Sequence, residues 1–389
     1  MNTHPNKIIR VTTVPKSLGG LLTGQLNFMS DYYEILGVSS PGEDNKINAV
    51  AAKEGVRVKA IEMTRQITPI KDIIAVWELY KLFKKESPDI VHSHTPKAGT
   101  LSMLAAYLAK VPHRLHTIAG LPLLEATGLK RKVLNTVEYF TYKCATKIYP
   151  NSFGLLNIIL DHKFTTKEKI KVIGKGSSNG IDTEEFNPKT YNASFKQELK
   201  AELGISADDY VFVFAGRMVT DKGINELVTA FDKLNQKFND IKIIMVGSYE
   251  SELDPLLPKT LELINKNTNI ISTGWVKDVR PYFSIADALT FPSYREGFPN
   301  VVMQGAAMEL ACIVSDINGC NEIITHTENG IIIPVKNVKV LFEAMEFVYL
   351  SRNESKNMGV KARQNIVSNY ERREVWEALL KEYQTLLNK

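Results

Sequence analysis

Cysteine is scarce. Cys144, Cys312 and Cys320 form no close Cys-x-x-Cys pair, are odd in number, and lack histidine partners at metal-ligand spacing. That excludes a disulfide scaffold and a zinc module, and points to reduced, mostly buried thiols in a cytoplasmic protein. Long apolar runs are missing too. No uncharged stretch approaches the ~20 residues that a membrane-spanning helix needs, and no charged n-region followed by an apolar h-region opens the sequence, so the chain is expected to be soluble and unsecreted. Low-complexity tracts and short repeats are absent. No RNP, zinc-finger or aromatic-basic single-strand pattern occurs, so nucleic acid is not an expected partner. What is present is 389 residues, 44% hydrophobic and 23% charged, enough for two domains with full cores.

The net charge of +5 is unevenly spread. Residues 1–185 carry 25 lysines and arginines against 17 acidic residues, a net of +8, and the remainder is net −3. A basic half can meet nucleic acid, anionic lipid or an acidic substrate, and charge alone does not choose.

Apolar runs alternate with helical periodicity along the whole chain, the signature of parallel sheets with helices on both faces. The first half offers strands at Ile8–Val14, Tyr33–Val38, Val56–Ile61, Ile90–His94, His113–Ile118, Lys147–Pro150 and Ile170–Ile173. Helical patterns lie near Gly20–Ser30, Pro69–Glu86, Gly99–Ala109, Leu129–Ala145 and Ser152–Asp161. The second half repeats the plan with strands at Tyr210–Ala215, Ile241–Gly247, Ile270–Thr273, Ala288–Pro292, Ile313–Ser315 and Gly330–Ile333. Between the halves, Gly174 through Pro188 is rich in Gly, Ser and Asn and has no periodicity, which makes it the natural hinge. The predicted domains are 1–180 and 181–369. A last amphipathic helix, 370–389, carries Val375, Trp376, Leu379, Leu380, Tyr383 and Leu386 on one face and is expected to pack back on the first domain.

Two stretches concentrate the chemistry. Phe-Ala-Gly-Arg-Met-Val-Thr-Asp-Lys-Gly at 214–223 leaves a strand and enters a helix, bringing Gly216, Arg217 and Lys222 to a strand end. A lysine near a helix start opposes the helix dipole, so something negative should lie there. Ser-Tyr-Arg-Glu-Gly-Phe-Pro-Asn at 293–300 follows the candidate strand Ala288–Pro292. Here Pro299 suits the first helical position and the Asn300 and Val301 amides offer unpaired N–H groups for phosphate. Glu296 is placed to reach sugar hydroxyls, and Gln304, one turn into the helix, to lie near the nucleoside. The plainer readings are a solvated basic loop and an acidic helix cap.

These motifs, with Asn179-Gly-Ile-Asp182 before Phe186 and Asp316 to Glu322 before Gly330, resemble the retaining family 4 glycosyltransferases over nearly the whole length. The resemblance implies an α/β fold of the GT-B type, two Rossmann-like parallel-sheet domains facing across a cleft. It implies Arg217, Lys222 and Glu296 as catalytic residues, together with His116 as the cleft histidine beside donor sugar and acceptor. The donor-binding set becomes Gly19, Gly20, Gly216, Arg217, Lys222, Val276, Glu296, Gly297, Phe298, Pro299, Asn300, Val301 and Gln304. Gly19 and Gly20 match the family's glycine-rich first loop, with a tight strand-to-helix turn as the plainer explanation. The family has a second glutamate where this chain has Gln304, and that change admits a non-catalytic copy.

The reaction so implied moves a sugar from a nucleotide diphosphate-sugar, a UDP-sugar by expectation, to an acceptor hydroxyl, with retention at the anomeric carbon. Fixed cations and amides meet the charge that grows on the leaving diphosphate, so no Asp-x-Asp metal site, no essential metal and no cofactor are expected. The acceptor is expected to be a lipid-linked or polysaccharide precursor. Lys130, Arg131 and Lys132, at the start of a helix whose Val133, Val137, Phe140 and Cys144 form a stripe, suggest docking on anionic lipid at the inner membrane face, against a core-packed helix with solvated lysines. His92 and His94 suggest a metal pair on one strand face, but no third ligand accompanies them, which favours packing. A GT-B epimerase and a non-catalytic sugar-nucleotide binder remain the rival readings.

Overall fold

A computed structural model describes residues 6–250, 252 and 254–388, with the side chains at 122 and 125 left undescribed; residues 1–5, 251, 253 and 389 of the expected domains lie outside it. The chain divides into two compact units, one of Met1–Asn179 with Arg373–Lys389 and one of Gly180–Arg372.

The first unit holds strands β1 (Lys7–Val11), β2 (Glu34–Ser39), β3 (Arg57–Ala60), β4 (Ile90–Ser93), β5 (His113–Ile118) and β6 (Lys147–Pro150) in the order β3-β2-β1-β4-β5-β6, every pair parallel. The second holds β7 (Tyr210–Ala215), β8 (Ile241–Val246), β9 (Ile270–Gly274), β10 (Ala288–Phe291), β11 (Ala311–Ser315) and β12 (Gly330–Ile333) in the order β12-β11-β10-β7-β8-β9, again all parallel. Both are doubly wound sheets whose order reverses at the first strand, which places the switch point beside β1 and beside β7. β7 reads Tyr-Val-Phe-Val-Phe-Ala and is buried at every position, as a strand covered by helices on both faces must be.

Three expectations are corrected. Ile170–Ile173 forms only one bridge to Ile148, because Gly174 at φ +56° turns the chain away. The single helix expected near Gly20–Ser30 is two, Pro15–Leu21 and Gln25–Ser30, parted at Gly24 with φ +75°. Gly19 and Gly20 therefore sit inside the last turn of the first helix and not in a loop. A Cβ on Gly19 would come within 2.9 Å of Val50, so close packing against the Lys46–Glu54 helix accounts for it. Gly20 faces open space.

The connection is tied at both ends to its own unit. The Asn179 side chain donates to Thr23 O at 2.9 Å and accepts from the Trp376 indole at 2.6 Å. Just beyond, Ile181 N donates to Tyr370 O at 2.9 Å. The final helix, Arg372–Leu387, buries Leu379, Leu380, Tyr383 and Leu386 among Ile8, Leu18, Leu26 and Tyr149 of the first unit. Tyr383 is fully buried and its hydroxyl is 2.6 Å from His92 Nδ1. Replacing it with alanine removes a ring from a closed core and leaves that nitrogen unpaired. Urea unfolding of Tyr383→Ala is expected to show a loss of ~3–5 kcal/mol; a loss under ~1 kcal/mol would mean the helix is not part of this core.

Candidate active site

The two chemistry-bearing loops leave neighbouring strands, β7 and β10, at their carboxyl ends, where open α/β sheets bind ligands. After β7 a short turn, Thr220–Lys222, precedes Gly223 and the helix Ile224–Lys237. Gly223 has φ +70°, and a Cβ there would stand 2.1 Å from Pro292 O. Only glycine lets the β7 loop lie this close to the β10 loop. The contact is then closed by side chains. Tyr294 N donates to Asp221 O at 2.8 Å, Arg295 pairs with the Asp221 carboxylate at 2.9 Å, and the Tyr294 hydroxyl donates to Glu226 at 2.7 Å.

At the centre of this junction Lys222 Nζ holds the Glu296 carboxylate, with side-chain exposures of 14% and 17%. Ser293 Oγ donates to the same carboxylate oxygen at 3.0 Å, and the ammonium stands 5.6 Å from the Phe291 ring centroid. The negative partner required near Lys222 is thus Glu296, which sequence spacing places on sugar hydroxyls instead. Four residues further on, the helix Asn300–Ala307 begins, with Pro299 as its cap and not its first residue. Val302 N and Met303 N bond back to Pro299 O, whereas the Asn300 and Val301 N–H groups have no partner among the described residues. Gly297, Phe298 and Pro299 are buried, and Phe298 packs on Tyr370 at 5.3 Å. Gln304 is half-buried in the second turn and makes no side-chain hydrogen bond among the described residues.

Arg217 is half-exposed and pairs with Glu250, after β8, at 2.8 Å. Burial pulls its guanidinium down, but the bond to Glu250 and the charges of Glu250, Asp221 and Glu296 outweigh this and raise it above its ordinary value. Gly216 N bonds Val246 O at 2.9 Å, tying the β7 loop to β8. Val276, after β9, is partly buried against the core of the same unit. The structure therefore gathers Gly216, Arg217, Lys222, Glu296 and Asn300 onto one edge of the second sheet. Sequence reasoning missed Glu250, Glu226 and the Asp221–Arg295 pair. The only signal for them was position, since each follows or opens an element at that same edge.

His116 lies inside the first unit. It is buried under the helix Pro96–Leu108, with Nδ1 2.9 Å from Ser93 Oγ, and a Cβ on Gly99 would meet its ring at 2.3 Å. Burial pushes it down to about 4. Its imidazole is held neutral and packed beneath that helix. His92 and His94 are also buried and neutral. His92 bonds Tyr383 and, through Nε2, Thr117 Oγ1 at 2.8 Å. Arg10 Nε donates to His94 Nε2 at 3.0 Å, and since a guanidinium only donates, that nitrogen must accept. Three of the four ring nitrogens are thus engaged, and no cluster of three or more metal-ligating side chains forms among the described residues. Arg131 donates to Leu123 O at 2.7 Å and to Asn135 Oδ1 at 3.0 Å, so it anchors its own helix, while Lys130 and Lys132 are exposed.

Residues 195–365 match the family described as Glycosyl transferases group 1, and residues 24–152 match Glycosyl transferase 4-like. The chain is 30% identical over 384 residues to the capsular polysaccharide biosynthesis glycosyltransferase CapM of Staphylococcus aureus, covering 98% of this chain and 97% of that one. This protein is a family 4-like GT-B glycosyltransferase. A galactosyltransferase of Escherichia coli that acts on GlcNAc-diphosphoundecaprenol is 28% identical over 359 residues, 88% of each chain. Among solved structures, a Rickettsia africae glycosyltransferase superposes with a TM-score of 0.82 at 19% identity over 99% of both chains. Anabaena HepE, solved with UDP, gives 0.80 at 15% identity over 97% of this chain and 100% of that one. Both support the GT-B fold for this glycosyltransferase.

The three buried histidines give the glycosyltransferase a pH signature. Desolvation comes first for each, reinforced at His92 and His94 by the charge of Arg10, and it lowers all three from 6.5. The unfolded chain then binds more protons than the folded one below about pH 6.5, so stability present above that value is lost as pH falls. Each histidine contributes up to about 1.4 kcal/mol per pH unit. Urea midpoints are expected to drop steadily from pH 7 to pH 5; a flat profile would show that these histidines titrate in the folded state.

Proposed function

We propose that this glycosyltransferase transfers a hexose from a nucleotide diphosphate-sugar, a UDP-sugar in the first instance, to a lipid-linked or polysaccharide-precursor hydroxyl, with retention. The observation that carries the reading is the Lys222–Glu296 pair, half-buried four residues before the free Asn300 and Val301 amides. A diphosphate arriving there brings the negative charge that Lys222 already holds in Glu296. Phosphate takes the ammonium and the helix amides, and the released carboxylate turns to the sugar hydroxyls. Because the lysine is desolvated before the ligand comes, little reorganisation remains when the anomeric C–O bond breaks and charge grows on the leaving oxygen. The acceptor oxygen then bonds the anomeric carbon from the same face, and its proton passes to the leaving phosphate. No general base is assigned, and the cations and amides neutralise the diphosphate without a metal, so transfer should survive EDTA.

The donor class is supported by the relatives. The Escherichia coli relative is a UDP-Gal enzyme, and the HepE structure contains UDP. The acceptor class rests on the same relative's diphosphoundecaprenol substrate and on the capsular role of CapM. A membrane-facing surface fits that acceptor. No helix among the described residues is long and apolar enough to cross a bilayer, yet Pro69–Glu86 has a second apolar stripe besides its buried Ala75, Leu79 and Phe83. Ile70, Ile73, Ile74 and Trp77 are 78%, 71%, 54% and 54% exposed, and Lys81 lies 5.1 Å from the Trp77 ring. An exposed apolar stripe ending in lysines fits the interface of an anionic bilayer, as do exposed Leu129, Val133 and Phe140 beside Lys130 and Lys132. We place the protein in the cytoplasm, peripheral to the inner membrane face.

The direct test is a panel of UDP-, GDP- and ADP-sugars screened by thermal shift, followed by transfer assays and NMR of the product's anomeric centre. One donor should stabilise the protein, and its product should keep the donor's configuration. Lys222→Ala and Arg217→Ala should each remove most turnover while leaving the fold intact; near wild-type rates in both would remove the diphosphate role, and binding without turnover in the wild type would favour the non-catalytic reading. Vesicles containing anionic lipid should float with the wild type and not with Ile70→Ser/Ile74→Ser or Lys130→Glu/Lys132→Glu; flotation unchanged in both would dismiss the membrane surface.

A further inference from the structure

The carboxyl edge of the second sheet continues past the phosphate loops. Gly247 N bonds Gly274 O at 2.9 Å, and a Cβ on Gly247, at φ +152°, would stand 1.7 Å from Gly216 O. The turns that follow β7, β8 and β9 therefore form one continuous ledge. β9 is the edge strand, and it ends at Gly274, whose φ of +68° turns the chain sharply. Trp275 follows, 71% exposed, with no hydrogen bond or ring partner among the described residues. The next residue, Val276, packs inward.

A single exposed aromatic is ordinary on a protein surface. This one stands where ligands bind in open α/β sheets, on the same ledge as Arg217. From β10 to β9 by way of β7 and β8 there are three strand spacings, about 14 Å. An extended nucleoside diphosphate whose terminal phosphate meets Lys222 and the Asn300 amide reaches about that far with its base. Resting on the donor reading above, we propose that the Trp275 indole is the platform on which the donor's nucleobase stacks. Stacking on an indole tolerates any base, because every base has a π face. Trp275 thus supplies affinity for the nucleoside, and discrimination among bases falls to groups that meet the base edge.

Calorimetric titration of wild type, Trp275→Ala and Trp275→Phe with UDP, GDP, ADP and inorganic pyrophosphate tests this. Whichever nucleoside diphosphate the wild type binds should bind Trp275→Ala about tenfold or more weakly. Trp275→Phe should keep most of the affinity, and pyrophosphate should bind all three proteins equally. Undiminished nucleotide binding by Trp275→Ala overturns the platform while leaving the donor reading standing. So does an equal loss for nucleotide and pyrophosphate, which would mark a structural role. If the wild type binds none of the three nucleotides, the donor reading fails and the platform fails with it.

Discussion

A lysine and a glutamate 74 positions apart in sequence hold the second unit's active edge together. Neither sits in water. Lys222 rests near the Phe291 ring and Glu296 takes a second hydrogen bond from Ser293, so each has exchanged hydration for its partner. A pair of this kind adds little net stability, but removing one member strands the other. Its significance is readiness. The β7 and β10 loops are held together by Gly223 against Pro292, and the cation between them is largely shielded from water.

The two units divide the chemistry by the same logic. The first carries the excess of positive charge and buries His92, His94 and His116, with Arg10 buried among neutral partners, His94 and Gln25. Its exposed apolar stripe on Pro69–Glu86 lies outside that interior. The second concentrates alternating charges along one edge, where Arg217 meets Glu250, Lys222 meets Glu296 and Arg295 meets Asp221. On the proposed donor reading, an anionic ligand arriving at this edge would compete with these carboxylates for the cations.

Much of the fold was legible because strands buried on both faces read as unbroken apolar runs, as β7 and β8 do. The helix Ala193–Glu202 was not, because it buries no residue fully and only Leu199 of it packs on the core, too little to mark an apolar face. The exposed stripe of Pro69–Glu86 was invisible for the opposite reason, since isoleucines that face solvent and leucines that face the core have one and the same periodicity. In the candidate site, strand-end position located Arg217, Lys222 and Glu296. It did not reveal that Lys222 and Glu296 hold each other, because that needs the crossover that puts β10 next to β7. His116 shows the limit most plainly. Proximity to a strand end says which edge a residue is near, while the absence of a side chain at Gly99 decides that the imidazole lies beneath a helix.

The central claim is that a diphosphate displaces Glu296 from Lys222. A crystal structure of the wild-type protein with the nucleoside diphosphate it binds tests that displacement directly. The account predicts phosphate oxygens on Lys222 Nζ and on the Asn300 and Val301 amides, with the Glu296 carboxylate swung clear. Nucleotide bound elsewhere while Lys222 and Glu296 still hold each other would contradict it.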